Sequence, residues 1–324
     1  MAVGSCGLPT YRPVRTRLLQ DPAEAAAVLR QGGLCAIPTE TVYGLAARAA
    51  DADAVARVFD AKGRPADNPL IVHLADASDV DAVAHVTAVG RRVLDAFAPG
   101  PLTVVLPARP GLPPAVTAGL GTVAVRVPSA PLALAVLRGT GPLVAPSANR
   151  SGRPSPTTWQ AVADDLDGRV DAILQGPPTT VGLESTVVDA TGDVPLVLRP
   201  GAVTLDALRA LFPDARAVGA DADAARRSPG TRHRHYAPRA RVRLVESGHS
   251  LEPTDDAAYV GLHEPPPGYA QATVCADVAD YAHRLFDAFR RADAAGLARI
   301  DAETVPEAGL GVALMDRLRR ASAG

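Results

Sequence analysis

The sequence predicts an α/β protein, with a three-layer domain around a mixed, twisted sheet followed by a smaller Rossmann-like α/β domain. Short apolar segments of strand length alternate with amphipathic segments of helix length. Several strand-like segments follow one another without a helix between them, which predicts a mixed rather than a purely parallel sheet. Hydrophobic residues make up 47% of the chain and aromatic residues only 4%, so the core should consist of alanine, valine and leucine.

The first helix has clear start and stop signals. Asp21 is a typical N-cap, Pro22 suits the first helical position, and Glu24 stands where a capping box places a glutamate. Gly32 and Gly33 end the helix. An apolar strand over 34–37 then leads into the polar turn 39–44, and a loop at the carboxyl end of a strand is where α/β proteins often bind ligands.

The same alternation continues to residue 213, and we assign 1–213 to one domain. The predicted helices cover 51–61, 87–97, 131–138, 157–166 and 204–212, and the predicted strands cover 70–74, 102–106, 123–127, 143–145, 171–174, 185–189 and 195–198.

Residues 214–240 are predicted to form a linker, because this stretch lacks periodicity and contains Ser228-Pro229-Gly230 and Ala237-Pro238. The smaller domain follows over 241–324. Its predicted strands are 242–245, 258–262 and 272–275, and its predicted helices are 278–295 and 307–322.

Composition limits the function. The 324 residues are enough for two domains, and the 33 basic and 35 acidic residues give a net charge of -2, which argues against a general nucleic-acid coat protein. Cys6, Cys35 and Cys275 are widely spaced, so neither a disulfide framework nor a zinc site is predicted. The chain has no signal-peptide pattern and no run near the ~20 apolar residues of a membrane span, which predicts a cytoplasmic protein.

Lys62 is the only lysine among the 33 basic residues. An ammonium is a compact charge with three donors, whereas a guanidinium is a planar fork, so the two do not substitute for each other at a tight site. Lys62 precedes Gly63 at the end of a predicted helix and lies two residues before Arg64. It therefore either binds phosphate or carboxylate or only complements the helix dipole.

Polar residues collect beside the apolar strands in several further stretches. Thr39 to Thr41 form either an ordinary turn or part of a site, and His73 is either a core histidine or a ligand-binding residue. The run 146–155 offers hydroxyl, amide and guanidinium donors that suit a polyphosphate, although a solvated loop would look similar. Arg126 lies in an apolar strand, and a buried arginine needs an anion.

Several common site types are missing from the sequence. It contains no GxxxxGK[ST] phosphate loop, and Gly309-Leu310-Gly311 is too degenerate for a dinucleotide turn. No catalytic triad and no cluster with metal-ligand spacing is evident, and we interpret His233-Arg234-His235 as solvated or ligand-contacting linker residues. A nucleotide would therefore be held by side chains.

Together these segments resemble the threonylcarbamoyl-AMP synthase family, the YrdC-like enzymes, in its longer two-domain form. The matching segments are PTETVYGL (38–45), AKGRPADNPLIVHL (61–74), PGPLTVVL (99–106), VAVRVP (123–128), PSANRSGRPSPT (146–157), GLESTVVD (182–189), LRPGA (198–202) and SPGTRHRHYAP (228–238). In the second domain, GVALMDRLRRA (311–321) is the clearest similarity. In the linker, Thr231 departs from an expected methionine.

The resemblance implies a nucleotidyltransferase. The amine of L-threonine captures bicarbonate or CO2 as a carbamate, which attacks the α-phosphate of ATP to give threonylcarbamoyl-AMP and pyrophosphate. This is the first step of t6A formation at position 37 of tRNA, which other proteins complete by transferring the group. Mg2+ would accompany ATP, held mainly by phosphate oxygens and water. Weak contact with tRNA is also expected, and contact with a membrane is not.

The resemblance also implies roles for individual residues. The catalytic signature corresponds to Lys62, Arg64, Ser147 and Asn149. These four would also bind ATP, together with Asn68, Thr122, Ser155, Arg199 and Tyr236. The L-threonine pocket corresponds to Thr41, His73, Arg126, Ala145 and Ser185, with Arg126 pairing with the amino-acid carboxylate.

Two other functions would use a similar cleft. One is a non-catalytic nucleotide- or RNA-binding module, but shape-based RNA binding would tolerate arginine at position 62. The other is a carbamoyltransferase relative that uses carbamoyl phosphate. Such relatives carry extra acylphosphatase, zinc-finger or kinase-like domains, for which this chain has neither the length nor a CxxC pair.

Overall fold

The computed structural model describes residues 15–218, 236–246 and 251–323. They fold around one sheet of eleven strands and a second sheet of four, with helices packed on both, which confirms the predicted fold class. The sheet order of the larger unit is β1-β8-β2-β3-β7-β4-β6-β5-β9-β10-β11. Its strands are β1 Arg17–Leu19, β2 Cys35–Ile37, β3 Gly44–Arg48, β4 Ile71–His73, β5 Leu102–Pro107, β6 Thr122–Arg126, β7 Leu143–Val144, β8 Ala172–Leu174, β9 Thr186–Asp189, β10 Leu196–Arg199 and β11 Arg216–Ala217.

The large sheet is mixed, as predicted. Strand β4 pairs in parallel with β6, whereas β5 pairs antiparallel with β6 and β2 antiparallel with β3. The parallel pairing places His73 opposite Arg126, and each is the last residue of its strand, so the two lie side by side at the carboxyl ends of β4 and β6. The helices of this unit are α1 Pro22–Arg30, α2 Ala52–Lys62, α3 Ala88–Phe97, α4 Pro114–Thr117, α5 Pro131–Thr140, α6 Trp159–Leu166 and α7 Leu205–Arg209.

Three layers follow from the alternation of side chains along the strands. Cys35 and Ile37 join one buried core with residues of α1 and α5, whereas Ala36, between them, joins the opposite core with residues of α2, α3 and α6. The sheet therefore has helices packed on both faces. Small aliphatic side chains dominate both cores, as the composition predicts.

The helix ends match their sequence signals. The Asp21 side chain accepts a hydrogen bond from the Ala23 amide over 2.8 Å, and Asp51 caps α2 by accepting from the Ala54 amide over 3.0 Å. Gly63 ends α2 with φ 61°, a left-handed conformation that glycine adopts without steric cost. Lys62 is thus the last residue of α2, and the helix end fixes where its side chain begins.

The smaller unit has a parallel four-stranded sheet in the order β12-β15-β13-β14. Its aromatic core includes Tyr281, Phe286 and Phe289, all fully buried. This arrangement of strands and helices agrees with the predicted Rossmann-like domain. Its elements are β12 Arg241–Val245, β13 Ala257–Gly261, β14 Gln271–Val274, β15 Arg299–Glu303, α8 Val278–Ala294 and α9 Gly311–Ser322.

The structure corrects the predicted elements in several places. The sequence missed β15, because Asp301 and Glu303 are buried strand residues whose charges are satisfied by distant partners. It also missed β3, an alanine-rich strand assigned to a turn and loop. Helix α9 begins at Gly311 rather than at 307, since bends and turns occupy 307–310, and α7 ends at Arg209. The other missed elements are β1, β11, α4 and a 3-10 helix at Ala77–Ala82.

The predicted domain limits stay predictions, since most of the linker 214–240 lies outside the described residues. Thr231, His233, His235 and Cys6 also lie outside them. Within the described ranges, no helix has the length and apolar character needed to cross a membrane. The two units contact each other where Arg317 of α9 reaches Glu184 and Arg290 of α8 reaches Asp165.

Candidate active site

A cleft opens beside the edge of the sheet where His73 and Arg126 end β4 and β6. Loops following β2, α2 and β7 supply further walls, and the smaller unit supplies support through the segment at Tyr236. The cleft brings together most of the predicted site residues, although they come from all along the chain. Those that line it are Thr41, Arg64, His73, Arg126, Ala145, Ser147, Ser185, Arg199 and Tyr236.

Arg126 is almost fully buried and has an internal carboxylate partner. Its Nη2 donates to Glu40 Oε1 over 2.7 Å, and its Nη1 donates to the Thr41 hydroxyl over 2.8 Å. The family resemblance implied that Arg126 pairs with a substrate carboxylate, which would have explained its burial. The structure corrects this explanation, because Glu40 already supplies the anion and the sequence analysis had not assigned it to the site.

Glu40 is held in its ionised form. Burial favours the neutral carboxyl, but the guanidinium of Arg126 outweighs this effect and holds the pKa of Glu40 below its usual value. Only one of its oxygens is used, since Oε2 is buried without a hydrogen-bond partner among the described residues. The carboxylate can therefore still accept a hydrogen bond.

His73 is neutral at physiological pH. Burial and the nearby charge of Arg126 lower its pKa to about 3. Its Nδ1 lies 3.2 Å from the carbonyl oxygen of Ile71, which can only accept, so we assign the proton to Nδ1. This leaves Nε2 as a hydrogen-bond acceptor.

Lys62 lies beneath the loop that follows β7 rather than lining the cleft. Its ammonium Nζ donates to the backbone carbonyl oxygens of Ser147 and Asn149 over 2.5 and 2.6 Å. Burial, followed by the charge of Arg64, lowers the pKa of Lys62. The carbonyl oxygens oppose that effect because they favour the protonated amine.

The same loop is held by its own side chains. The Ser147 hydroxyl donates to Asn149 Oδ1 over 2.6 Å, and Asn149 Nδ2 donates to the carbonyl oxygens of Arg150 and Arg153. Lys62, Ser147 and Asn149 thus form one hydrogen-bonded group, of which Ser147 lines the cleft. Three of the four residues of the predicted catalytic signature are therefore joined by hydrogen bonds.

Two further guanidinium groups line the cleft. Arg64 donates to the carbonyl oxygen of Pro69 over 3.0 Å, and burial lowers the pKa of Arg64 to about 10, which leaves it charged at neutral pH. Arg199 donates through Nε and Nη2 to the carbonyl oxygen of Ser185 over 3.1 and 2.9 Å. Two cations beside the Ser147 hydroxyl form a suitable environment for a polyanion.

The lining of the cleft also contains a second buried carboxylate, that of Glu184. Glu184 accepts a hydrogen bond from the Ser155 hydroxyl through Oε1 and from Arg317 Nε through Oε2 over 2.8 Å. Tyr236, whose φ of 69° is left-handed, stacks on Phe286 with ring centroids 5.5 Å apart. This part of the lining is therefore built jointly by the two units of the protein.

The remaining predicted residues lie away from the cleft lining. Lys62 and Asn149 support its loop, Ser155 reaches it through Glu184, and the Asn68 carbonyl oxygen accepts a hydrogen bond from Arg64 over 3.4 Å. Thr122 begins β6 at the end opposite Arg126. Its predicted contact with ATP stays a prediction, as do the ligand contacts of the other residues.

Neither Glu40, which lies within the turn 39–41, nor Arg317 was assigned a role from the sequence. Helical periodicity could have indicated Arg317, since it stands three residues after Leu314 and four before Ala321, on the apolar stripe of α9. Glu40 had no comparable signal, because a glutamate in a polar turn is ordinary. In the described part of the chain, no three acidic, histidine or cysteine side chains come together as a metal site.

Two family models match the chain. The model described as Telomere recombination, for the Sua5, YciO and YrdC proteins, matches residues 27–201. The model described as Threonylcarbamoyl-AMP synthase, C-terminal domain, matches residues 203–323. Together these matches span both units of the structure.

Similar proteins cover nearly the whole chain. The threonylcarbamoyl-AMP synthase of Bacillus subtilis is 42% identical over 325 residues, covering 94% of both chains. That of Pyrococcus abyssi is 40% identical, covering 92% of this chain and 93% of its own. A crystal structure of P. abyssi Sua5 complexed with L-threonine superposes with a TM-score of 0.87 at 38% identity, covering 95% of this chain and 97% of the other.

Proposed function

The chain belongs to the threonylcarbamoyl-AMP synthase family, and on this premise we propose that its cleft makes threonylcarbamoyl-AMP from L-threonine, bicarbonate or CO2, and ATP. One observation carries the proposal. Thr41, His73 and Arg126 share a single cleft with the cations and hydroxyl of Arg64, Arg199 and Ser147. The first group suits an amino acid, and the second suits phosphates.

The reaction forms two bonds and breaks one phosphoanhydride bond. The threonine nitrogen bonds to the carbon of CO2, and the ammonium loses two of its three protons to give a carbamate. With bicarbonate a C–O bond also breaks, and one of those protons leaves in the water that is lost. A carbamate oxygen then bonds to the α-phosphorus of ATP. The bond from the α-phosphorus to the bridging oxygen breaks, and pyrophosphate leaves with the electron pair.

Threonine binds at the end of the cleft that contains Arg126. Its carboxylate lies against the Arg126 guanidinium, the charge of which is already oriented by Glu40 and Thr41. Neutral His73 accepts a hydrogen bond from the substrate through Nε2. Ser185, whose hydroxyl lies 2.7 Å from that of Thr103, completes the polar contacts.

ATP binds in the adjoining part of the cleft, the ATP end, where Arg64 and Arg199 neutralise the phosphates and Ser147 donates a hydrogen bond. Transfer at phosphorus depends on positioning and on stabilising the charge of the transition state, and it needs no covalent nucleophile. Lys62 and Asn149 contribute by fixing the loop that carries Ser147. Rigid support of this kind keeps the donors preorganised.

Mg2+ enters with ATP in this proposal. The two carboxylates next to the cleft are bound to arginines, Glu40 to Arg126 and Glu184 to Arg317, and the described residues bring no set of metal ligands together. The part of the chain that the structure describes therefore offers no metal site of its own. A magnesium ion would be held by phosphate oxygens and water.

The product would pass to proteins that transfer the threonylcarbamoyl group to adenosine 37 of tRNA. Threonylcarbamoyl-AMP is a mixed anhydride of a carbamic acid and a phosphate, so it loses its group to water unless an acceptor enzyme takes it. A weak contact with tRNA belongs to the same proposal, as does a cytoplasmic location.

The proposal is tested by measuring pyrophosphate release from the purified full-length protein with ATP, L-threonine and bicarbonate. Release should stop when any one of the three is omitted, and the nucleotide product should contain threonine. Release that continues without threonine would refute the proposal. ATP binding without release would favour a non-catalytic module, and turnover with carbamoyl phosphate would favour a carbamoyltransferase relative.

A further inference from the structure

Arg317 is a charged side chain with no exposed surface. It belongs to α9 of the smaller unit, on the stripe formed with Leu314, Leu318 and Ala321, whose other members are apolar. Burying a guanidinium is costly unless its donors are satisfied. Its position therefore requires partners, and two of its three hydrogen-bond partners lie in the other unit.

The donors of Arg317 reach the first unit at two points. Nε donates to Glu184 Oε2 over 2.8 Å, and Nη2 donates to the carbonyl oxygen of Pro200 over 3.1 Å. Nη1 is held within α9 by Asp316 over 2.6 Å. The guanidinium carbon also lies 5.2 Å from the centroid of the Tyr236 ring, which is within cation–π range.

Three of these four contacts, those with Glu184, Pro200 and Tyr236, lead directly to the cleft. Glu184 lines it and accepts the Ser155 hydroxyl, Pro200 follows Arg199, and Tyr236 lines it too. Ser155, Arg199 and Tyr236 are all residues predicted to hold ATP. We call this part of the cleft, formed by Glu184, Arg199 and Tyr236 with Ser155 bound to Glu184, the nucleotide wall. Arg317 contacts it from outside the cleft lining.

We propose that Arg317 is a positioning residue through which the C-terminal domain completes the ATP end of the cleft. It neutralises Glu184 and fixes Ser155 and Tyr236, so that Arg64 and Arg199 stay available for phosphate. This inference rests on the proposed function, because it concerns the ATP end of that same cleft.

The charges explain why such a residue is needed. A carboxylate in the wall of a cleft for a polyanion repels its ligand, and in a medium of low dielectric the repulsion is strong. Arg199 already interacts electrostatically with Glu184, second to Arg317, and without Arg317 it would be the main cation beside that carboxylate. Pairing between Arg199 and Glu184 would remove a cation from the phosphates and leave Ser155 without a fixed acceptor.

The protein offers a matched control for a purely structural role. Arg290 of α8 also reaches across to the first unit, where Nη2 donates to Asp165 Oδ2 over 2.9 Å and to the carbonyl oxygen of Pro154. Neither of these partners lines the cleft. Replacing Arg290 should therefore weaken contact between the units while leaving the nucleotide wall intact.

The experiment compares full-length Arg317→Met and Arg290→Met with the wild type. Calorimetry measures the Kd for α,β-methylene-ATP and, separately, for L-threonine, and the unfolding temperature is measured in parallel. Arg317→Met should bind the nucleotide analogue at least tenfold more weakly and threonine within about twofold of the wild type. Arg290→Met should lower the unfolding temperature but keep both affinities within about twofold.

Two further variants separate positioning from general damage. In Arg317→Met combined with Glu184→Gln no lone carboxylate remains, and nucleotide affinity should recover at least threefold over the single variant. Arg317→Lys keeps a charge but lacks the guanidinium fork, so it should bind nucleotide at least threefold more weakly than wild type. If Arg317→Met does not fold, the lysine variant provides the test.

The outcomes show whether the role of Arg317 or the proposed function of the cleft has failed. Wild-type nucleotide affinity in Arg317→Met, or in Arg317→Lys if that is the folded variant, would overturn the role of Arg317. Equal weakening of both ligands in the Arg317 and Arg290 variants would also overturn it, because both arginines would then only hold the domains together. If the wild type fails to bind the analogue, the proposed function is refuted instead.

Discussion

The ammonium nitrogen of Lys62 lies 2.6 Å from the carbonyl oxygen of Asn149 and 3.5 Å from its side-chain Oδ1. With the Ser147 carbonyl oxygen at 2.5 Å, these acceptors surround a single nitrogen at the end of α2. Lys62 ends helix α2, as the sequence predicts, whereas its binding of phosphate or carboxylate stays a prediction. Its hydrogen bonds in the structure go to the loop that carries Ser147.

Lys62→Arg should lower the rate of pyrophosphate release at least about tenfold, equivalent to ~1.4 kcal/mol of transition-state stabilisation. A planar guanidinium cannot direct its donors at acceptors grouped around one point, so the loop shifts. The measurement is the initial rate with all three substrates at saturation. Arg57→Lys, a partly exposed site on the same helix that pairs with Asp171, is the control and should keep the wild-type rate. Wild-type activity in Lys62→Arg would show that a compact cation is not needed.

Arg126 has a structural role and a ligand role, and two variants separate them. Arg126→Met leaves the Glu40 carboxylate buried without its partner and should lower the free energy of unfolding by about 3–5 kcal/mol. Adding Glu40→Gln should restore much of that loss, because the lone charge is gone. Threonine affinity should stay at least tenfold below wild type in both variants. Urea unfolding and calorimetric titration with threonine measure the two effects, and recovery of threonine binding in the double variant would contradict the role of Arg126.

Secondary structure was predictable wherever its signals are local. Asp21, Asp51 and Gly63 mark helix ends through hydrogen bonds or dihedral angles within a few residues, and these helices lie close to their predicted limits. Strand β15 has no such signal. Asp301 accepts hydrogen bonds from Arg243, 58 residues away, and from Tyr269, 32 residues away, and these distant partners help to satisfy its buried charge.

The site residues also divide into those with a local sequence signal and those that depend on distant pairing. Motif residues such as His73 and Ser147 were predictable as members of one cleft, because short polar segments beside apolar strands are visible in the sequence. The ion pairs behind them were not. Glu40 is 86 residues from Arg126 and Glu184 is 133 residues from Arg317, so only the folded chain shows that each carboxylate near the cleft is neutralised.

His73 should make the protein less stable in acid. Its pKa is about 3 when folded and near 6.5 when unfolded. Between these values the unfolded chain binds a proton that the folded chain does not, so the free energy of unfolding falls as pH falls below about 6.5, by at most ~1.4 kcal/mol per pH unit. Its stabilising effect is complete above that pH. Arg126 opposes protonation of His73, and Glu40 partly offsets this effect.

The measurement is urea unfolding of wild type and His73→Asn at pH 7.5, 6.5 and 5.5. The asparagine variant lacks the titrating group, so its stability should decrease less on acidification, while the other six histidines contribute equally to both proteins. Parallel decreases would mean that His73 is not held neutral. Activity at saturating substrate should show no step near pH 6.5 that depends on His73.

Removing Mg2+ should stop pyrophosphate release without destabilising the ligand-free protein. The described residues bring no set of metal ligands together, so the ion is expected to bind only with ATP. Addition of EDTA tests the rate, and a thermal unfolding scan of the protein with and without EDTA tests stability. A lower unfolding temperature in EDTA would reveal a metal bound by the chain itself.

Gly182 determines how closely the two units approach each other. It adopts φ +81°, and a Cβ added there would lie 2.4 Å from the Cα and 2.6 Å from the carbonyl oxygen of His283 in α8. Both contacts are with backbone, which cannot rotate away. Overpacking costs about 1–3 kcal/mol, and a left-handed alanine adds roughly 1–2 kcal/mol. Gly182→Ala should therefore lower the free energy of unfolding by about 2–5 kcal/mol.

Gly192→Ala is the matched control, because nothing lies within 4 Å of an added Cβ there and φ is not left-handed. It should change stability by less than about 0.5 kcal/mol. The single tryptophan, Trp159, reports unfolding of the first unit by fluorescence, and circular dichroism reports both units. If Gly182→Ala disrupts only the contact with α8, the two signals should separate in urea. Coincident transitions at wild-type stability would show that the units tolerate a wider separation.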